Sequence, residues 1–111
     1  MIKQIPEHPN YAVSAWGNVY KITPTGLKEI KWDVSNGYPR VKLDNRNEYV
    51  SMLVAECYKE PQARCEQKLF YIDGDPKNCT ADNLVWLNPS EIQRFSAYTV
   101  EYRRKILGGR A

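Results

Sequence analysis

The side chains best suited to chemistry lie in one polar stretch, DGDPKNCTADN, between residues 73 and 83. Asp73, Asp75 and Asp82 supply carboxylates, and Asn78 and Asn83 supply amides. Hard oxygen atoms of this kind are the ligands that Mg²⁺ and Ca²⁺ accept. A stretch this rich in Asp, Asn and Gly is also typical of a tight turn, in which aspartates bond their own backbone. The turn interpretation is favoured, and an ion site built on the three aspartates is the alternative.

Nitrogen and sulfur ligands are few. His8 is the single histidine, in the Pro-flanked segment PEHPN, which is interpreted as a loop. Cys57, Cys65 and Cys79 are odd in number and form no C-x-x-C pair, whereas a structural zinc site takes four ligands. The sequence therefore predicts free thiols, no metal and no cofactor, and it excludes a mechanism that needs two histidines.

The composition is that of one compact domain, or of two very small modules that share a core. The 111 residues are 42% hydrophobic and 12% aromatic, which suffices for a modest core. No apolar run approaches the roughly 18 residues that span a bilayer, and the first residues lack the apolar centre of a secretory signal. The net charge is +3, with five basic against two acidic residues from position 91 onward. That basic end suits phosphate contact or a solvated helix end.

The first half of the chain predicts short antiparallel strands. NYAVSAWGNVYKI alternates apolar and polar residues around a turn at 16–18. A turn at 24–26 and the pair Asn36-Gly37 bound further strands, the last being Tyr38–Leu43. Asn-Gly between extended runs is a strong hairpin signal because both residues tolerate positive φ. DNRNE is predicted to be another turn, with order resuming at Tyr49.

The second half predicts a helix, a hairpin and a longer helix. Apolar residues from Val50 to Tyr58 recur at helical spacing, and Pro61 ends the helix. KLFYI and LVWL are strands around the polar loop. Asn88 and Glu91 have the types and spacing of a capping box that starts the last helix. Its expected inner stripe is Ile92, Phe95, Thr99, Tyr102 and Ile106, and Gly108 and Gly109 are expected to end it.

With these elements in place, residues 50–95 resemble the HNH module of phage and intron-encoded homing endonucleases. That family's pattern runs V-H-R-L-V-A-x-x-F and then V-(N/D)-H-x-D-G-x-x-x-N-N-x-x-x-N-L-x-W-x-T-x-x-E-N. The preceding IPEHPNYAVSAWGNVYKI and GYPRVKL are similar to the nuclease-associated module usually found before it. The resemblance implies an α+β fold: an antiparallel β module at 1–48, then a central helix and a ββα hairpin–helix within 49–111.

The resemblance separates positions that maintain the fold from positions that carry chemistry. Asp73, Gly74, Asn78 and Asn83 match the turn and its connecting loop, where an Asn bonds backbone groups through both its donor and its acceptor. These four residues are expected to hold the hairpin together, and Leu84 and Trp86, which match the second strand, complete the scaffold.

The positions that carry chemistry in the family are altered. The resemblance implies a metal-binding Asp or Asn at Phe70, the catalytic histidine at Tyr71, a second metal-binding Asn at Ile92 and an earlier histidine at Ser51. Phenylalanine and isoleucine offer no oxygen to a metal, and a tyrosine with a pKa near 10 is a poor general base at neutral pH. A nucleophilic Tyr71 is disfavoured because no arginine–histidine constellation accompanies it. The sequence predicts a nuclease scaffold that is not an enzyme.

Such a scaffold can still bind double-stranded DNA. The resemblance implies that the hairpin, its helix and the upstream module lie near DNA, where basic side chains make salt-dependent phosphate contacts. Ordinary solvated surface charge is the competing interpretation for each residue. The candidate contacts are Arg40, Lys42, Arg46 in the predicted turn, Lys77, Arg94, Arg103, Arg104 and Lys105.

Two alternatives are kept. An effector that inhibits a host protein would use Met52, Phe70, Tyr71 and Ile92 as an interface if they are exposed, whereas burial would mean that they fill a former polar cleft. A metal-dependent endonuclease would hold its ion on the loop aspartates. The favoured hypothesis is a catalytically inactive HNH-like DNA-binding protein, encoded by a phage or mobile element and acting in the bacterial cytoplasm during host takeover.

Overall fold

The structure, a computed structural model, describes residues 2–59 and 67–107. Cys65, Pro61 and the predicted helix end at Gly108 and Gly109 lie outside these residues. The described strands are β1 (Ile2–Ile5), β2 (His8–Ser14), β3 (Val19–Thr23), β4 (Gly26–Ile30), β5 (Asp33–Ser35), β6 (Tyr38–Leu43), β7 (Arg46–Tyr49), β8 (Lys68–Tyr71) and β9 (Leu84–Leu87). The described helices are α1 (Val50–Tyr58), α2 (Pro89–Ser96) and α3 (Val100–Leu107), and none of them is long and apolar enough to cross a membrane.

Two antiparallel meanders form the first half of the chain. The first sheet has the order β1-β2-β3-β4 and the second has the order β5-β6-β7. Asn36 and Gly37 join β5 to β6 with φ angles of 54° and 82°, the positive values that an Asn-Gly hairpin requires. The predicted turns near 16–18, 24–26 and 36–37 are confirmed, with strands on both sides of each.

The DNRNE segment contains a shorter turn than predicted. Asp44 and Asn45, with φ angles of 50° and 65°, close the connection in two residues, because Asp and Asn tolerate the left-handed region better than other non-glycine residues. Arg46 therefore begins β7 and pairs with Leu43, and Tyr49 pairs with Arg40. The prediction that Arg46 lies in a turn is wrong.

α1 follows β7 without a linker, since Tyr49 ends the strand and Val50 begins the helix. Val50, Leu53 and Val54 are buried along the predicted apolar face. After the β8–β9 hairpin, the predicted capping box forms at the start of α2. Asn88 Oδ1 accepts from the Glu91 backbone N at 2.9 Å, and Glu91 Oε1 accepts from the Asn88 backbone N at 3.2 Å.

The single C-terminal helix of the prediction is wrong, because residues 97–99 divide it into α2 and α3. Thr99 acts as a new N-cap: its Oγ1 accepts from the Tyr102 backbone N at 3.2 Å, the role for which Thr is favoured. Because a new helix begins after Thr99, the residues that face the core also differ from the predicted ones. Thr99 and Tyr102 are exposed, while Tyr98 and Leu107 join Phe95 in the core.

Two hydrophobic clusters hold the described chain together. The larger cluster draws Val13, Val19 and Leu43 from the two sheets, and Val54 of α1 and Leu84 of β9 from the second half. The smaller cluster lies between the hairpin and the last two helices; its buried members are Phe70, Ile72, Val85, Leu87, Phe95 and Leu107. The larger cluster therefore combines residues from both sides of the junction of the proposed modules, at residues 48 and 49.

Candidate functional site

The polar loop between β8 and β9 is closed by bonds within itself. Asp73 is the hub: Oδ1 accepts from Asn83 Nδ2 at 2.9 Å and from the Asp75 backbone N at 2.8 Å, and Oδ2 accepts from Asn78 Nδ2 at 2.8 Å. Asn83 Oδ1 in turn accepts from the Asp73 backbone N at 2.9 Å. Gly74 takes the positive φ of 75° that the turn needs.

These hydrogen bonds lower the pKa of the Asp73 carboxyl group. Burial would raise the pKa of Asp73, but the hydrogen bonds from Asn78, the Asp75 backbone and Asn83, with the charge of Arg104, lower it below its ordinary value. Asp75 Oδ1 accepts from the Lys77 backbone N at 3.0 Å. Both aspartates thus bond the loop itself. Across residues 2–59 and 67–107, no three His, Cys, Asp or Glu side chains are grouped as a metal site would need.

Tyr71 and Ser51 meet between β8 and α1. The Tyr71 hydroxyl lies 2.6 Å from Ser51 Oγ, and Ser51 is buried. Burial raises the pKa of Tyr71, and the hydrogen bond to Ser51 only partly offsets that rise. A raised pKa keeps the phenol protonated at neutral pH, which disfavours Tyr71 as a general base.

Phe70 and Ile92 face the smaller core cluster. Phe70 is 9% exposed and packs in the cluster that contains Phe95, with Ile92 partly buried against it. Met52 and Tyr71 are half-buried. The burial of Phe70 and the partial burial of Ile92 agree better with hydrophobic side chains that fill a cleft than with an interface made of them.

An open cavity of about 340 Å³ lies beside these residues. Phe70, Tyr71 and Ile92 form part of its wall, and Tyr38 from β6 and Arg103 from α3 also line it. Tyr38 is absent from the site residues predicted from the sequence. Its signal was present in the alternation of β6, which places Tyr38 on the outward face that carries Arg40 and Lys42.

Arg103, a predicted DNA contact, is bound inside the molecule. Its Nε donates to the Phe95 carbonyl at 2.7 Å, Nη2 to the Ser96 carbonyl at 2.9 Å and Nη1 to the Ile72 carbonyl at 3.3 Å. The guanidinium also lies 5.4 Å from the centroid of the Phe70 ring. It thereby connects the end of α2, the hairpin and α3.

Of the other candidate cations, one is half-buried and the rest are exposed. Arg40 is half-buried and its Nη2 lies 3.2 Å from Asp33 Oδ2, and Arg94 lies over the Phe95 ring at 4.9 Å. The remaining candidates have exposed side chains; they are Lys42, Arg46, Lys77, Arg104 and Lys105. Their contact with DNA stays a prediction.

His8 occupies a strand and not the predicted loop. It begins β2, pairs with Ile5 and is only 3% exposed. Its Nδ1 lies 2.9 Å from Asp44 Oδ2, and its Nε2 lies 3.4 Å from Glu48 Oε2. The loop prediction failed because the carboxylates that permit burial of this imidazole come from the distant β6–β7 hairpin.

Comparison with protein-family profiles finds no match, and comparison with curated protein sequences finds none. Comparison with solved structures places the chain among proteins with the HNH homing endonuclease fold. The matching structure is that of the HNH homing endonuclease I-HmuI, described for DNA binding and cleavage, with a TM-score of 0.69 and 23% sequence identity. The match covers 96% of this chain and 66% of the I-HmuI chain. The likeness confirms the predicted HNH-like α+β fold.

Proposed function

We propose that this protein binds double-stranded DNA on an HNH scaffold without cleaving it. One observation carries the proposal: the Asp73 hub of the hairpin is complete, while Phe70, where the family resemblance implies a metal ligand, is buried in the core. I-HmuI binds and cleaves DNA. This chain spans about two thirds of that length, so its DNA partner and its lack of cleavage are proposals.

The chemistry of the neighbouring residues supports a scaffold without hydrolysis. Ile92 and Phe70 present hydrocarbon where hydrolysis by a bound Mg²⁺ would need oxygen. Tyr71 keeps its proton because its pKa is raised. The oxygens of Asp73 are engaged by loop donors, which disfavours an ion displaced onto this carboxylate.

The proposed contacts are electrostatic. Lys77, Arg94 and Arg104 lie on or beside the hairpin–helix unit, and Lys42 and Arg46 lie on the second sheet. Phosphate contacts of this kind bind strongly at low salt and with little sequence preference. The proposal includes a functional division into a β module at 1–48 and an HNH-like module at 49–111, an origin in a phage or mobile element, and action in the bacterial cytoplasm.

Binding of a host protein ranks second. Such an interface requires that the residues that differ from the family pattern be exposed. Phe70, however, is buried, and Ile92 packs against it. The partly exposed rings of Tyr38 and Tyr71 beside the cavity are the observation in its favour.

A duplex-DNA titration tests the proposal. Binding is measured at about 50 and 200 mM salt, with and without Mg²⁺, and the DNA is inspected for cleavage afterwards. We expect affinity that falls steeply with salt, does not depend on Mg²⁺ and leaves the DNA intact. Mg²⁺-dependent cleavage that persists through repurification and disappears in a Tyr71→Phe variant would overturn the proposal.

A pair of triple variants locates the contact surface. Lys77→Ala/Arg94→Ala/Arg104→Ala should weaken binding and reduce the slope of log affinity against log salt by about one for each phosphate that is no longer neutralised. The matched control removes three exposed lysines outside the candidate set, namely Lys21, Lys28 and Lys31. Equal weakening in both variants would mean that net charge, and not this surface, attracts the DNA.

A further inference from the structure

The outward face of the second sheet carries two exposed aromatic rings. Tyr38 of β6 is 43% exposed and Tyr49 of β7 is 50% exposed. Their centroids are 6.1 Å apart and their planes meet at 74°. In such an edge-to-face pair, the edge of one ring covers one face of the other, so three of the four ring faces are left free of the partner ring. The inward residues Val41 and Leu43 already supply the core contacts of β6, so core packing does not account for the two tyrosines.

A third ring, that of Tyr71, lies beside Tyr38 at the wall of the cavity. Tyr71 lies 6.3 Å from Tyr38 between centroids, with the planes tilted by 52°. Its hydroxyl is fixed by Ser51, which holds the ring at the cavity wall. The order Tyr49, Tyr38, Tyr71 therefore joins the face of the second sheet to the cavity of about 340 Å³. We call these three residues the tyrosine row.

The charges beside the tyrosine row favour an anionic occupant. Arg40 lies directly opposite Tyr49 in the strand register, Lys42 follows on the same face of β6, and Arg103 borders the cavity. Asp33 pairs with Arg40 and offsets part of this charge. Glu48 lies on the opposite face, against His8, and does not oppose an anion here.

We propose that the tyrosine row is a stacking platform for the unpaired bases of single-stranded DNA. Aromatic rings beside cations bind single strands because every base has a π-face and every nucleotide carries a phosphate. The bases of an intact duplex are stacked on one another and cannot lie on protein rings. The proposal rests on the proposed function in taking DNA as the partner. It adds that the bound DNA is single-stranded and that its bases lie on the tyrosine row.

The experiment compares a short fluorescein-labelled oligothymidine with a duplex of equal length. Tyr38→Ala and Tyr49→Ala should each weaken single-strand binding about 5- to 100-fold, the usual effect of removing one stacking ring. Tyr38→Phe, which keeps the ring, should bind within about twofold of the parent protein. Tyr102→Ala is the matched control, since this tyrosine on α3 is 47% exposed and lies outside the row.

Base stacking is read directly with 2-aminopurine in the oligonucleotide. Its fluorescence should change on binding the parent protein and Tyr38→Phe, and much less with Tyr38→Ala. Unchanged single-strand affinity in both alanine variants would overturn the platform, as would equal weakening for single strand and duplex. Duplex binding without single-strand binding would overturn the platform alone. Failure to bind either DNA would overturn both proposals.

Discussion

At the scale of single residues, His8 is a buried imidazole that lies between two carboxylates. Its two ring nitrogens face Asp44 and Glu48 at 2.9 and 3.4 Å, and ionised carboxylates only accept hydrogen bonds. A neutral imidazole has one N–H, so one nitrogen would direct a lone pair at a carboxylate. The hydrogen bond to Asp44, with the charge of Glu48, therefore raises the pKa of His8 although burial opposes it. Glu56 also lies near enough to interact with His8.

This arrangement predicts a pH-dependent stability. Because the pKa of His8 is higher in the folded state than its ordinary value of about 6.5, its contribution is complete below pH ~6.5 and is lost as the pH rises through the folded-state pKa. The free energy of unfolding of the parent protein should therefore decrease from mildly acidic to alkaline pH. His8→Gln should be less stable in acid and should lack this decrease.

Urea unfolding of both proteins over that pH range provides the measurement. His8 is the single histidine of the chain, so no other imidazole contributes to the difference between parent and variant. A parent protein whose stability is constant or rises over this range would contradict the assignment of a charged His8.

At the scale of elements, one side chain connects α2, α3 and the hairpin. The carbonyls of Phe95 and Ser96 lie at the end of α2, where the chain turns at 97–99 and the regular helical bonding stops. Arg103, one turn into α3, reaches both carbonyls and that of Ile72. A cation at a helix C-terminus is also favoured by the helix dipole. The basic end of the chain thus contains a structural arginine beside exposed ones.

Arg103→Lys tests whether Arg103 has a structural role that the neighbouring exposed basic residues lack. Lysine keeps the charge but cannot donate along three directions in a plane, so we expect a loss of about 1–3 kcal/mol in the free energy of unfolding. Arg104→Lys, on the exposed side of the same helix, should change stability by less than about 0.5 kcal/mol. Denaturant melts followed by circular dichroism measure both. Equal stability of the two variants would contradict a structural role for Arg103.

At the scale of the whole molecule, the two sequence modules share one interior. The larger cluster includes Val13 from the first sheet and Leu84 from the hairpin, both 0% exposed. The first sheet also reaches the hairpin loop, since the Ala81 backbone N donates to the Ala15 carbonyl at 2.7 Å. A division of function between residues 1–48 and 49–111 therefore need not be a division of stability.

The shared core predicts one cooperative unfolding transition. Val13→Ala and Leu84→Ala, one from each side, should each remove about 2–4 kcal/mol by opening a cavity and should lower the same midpoint. Circular dichroism and tryptophan fluorescence should report coincident curves. Val34→Ala, at a position that is 50% exposed, is the control. Two separate transitions, of which each variant shifts only one, would show that the modules fold independently.

The sequence by itself determined the features that depend on near neighbours. The Asn36-Gly37 turn, the apolar face of α1 and the Asn88–Glu91 capping box form as predicted, because each needs residues only a few positions apart. The bonds of the Asp73 loop are also within one segment, since they join residues two to ten positions apart. The resemblance of these local patterns to the HNH module also predicted the α+β fold correctly.

The tertiary structure decided what depends on distant partners. His8 is buried because Asp44 and Glu48 come from another sheet, and Arg103 is internal because α3 folds back onto the hairpin. The tyrosine row exists because β6 and β7 pair in one sheet while the separate β8–β9 hairpin brings Tyr71 close to Tyr38. Charge and exposure are properties of a side chain's surroundings, and those surroundings form only when segments far apart in the chain pack together.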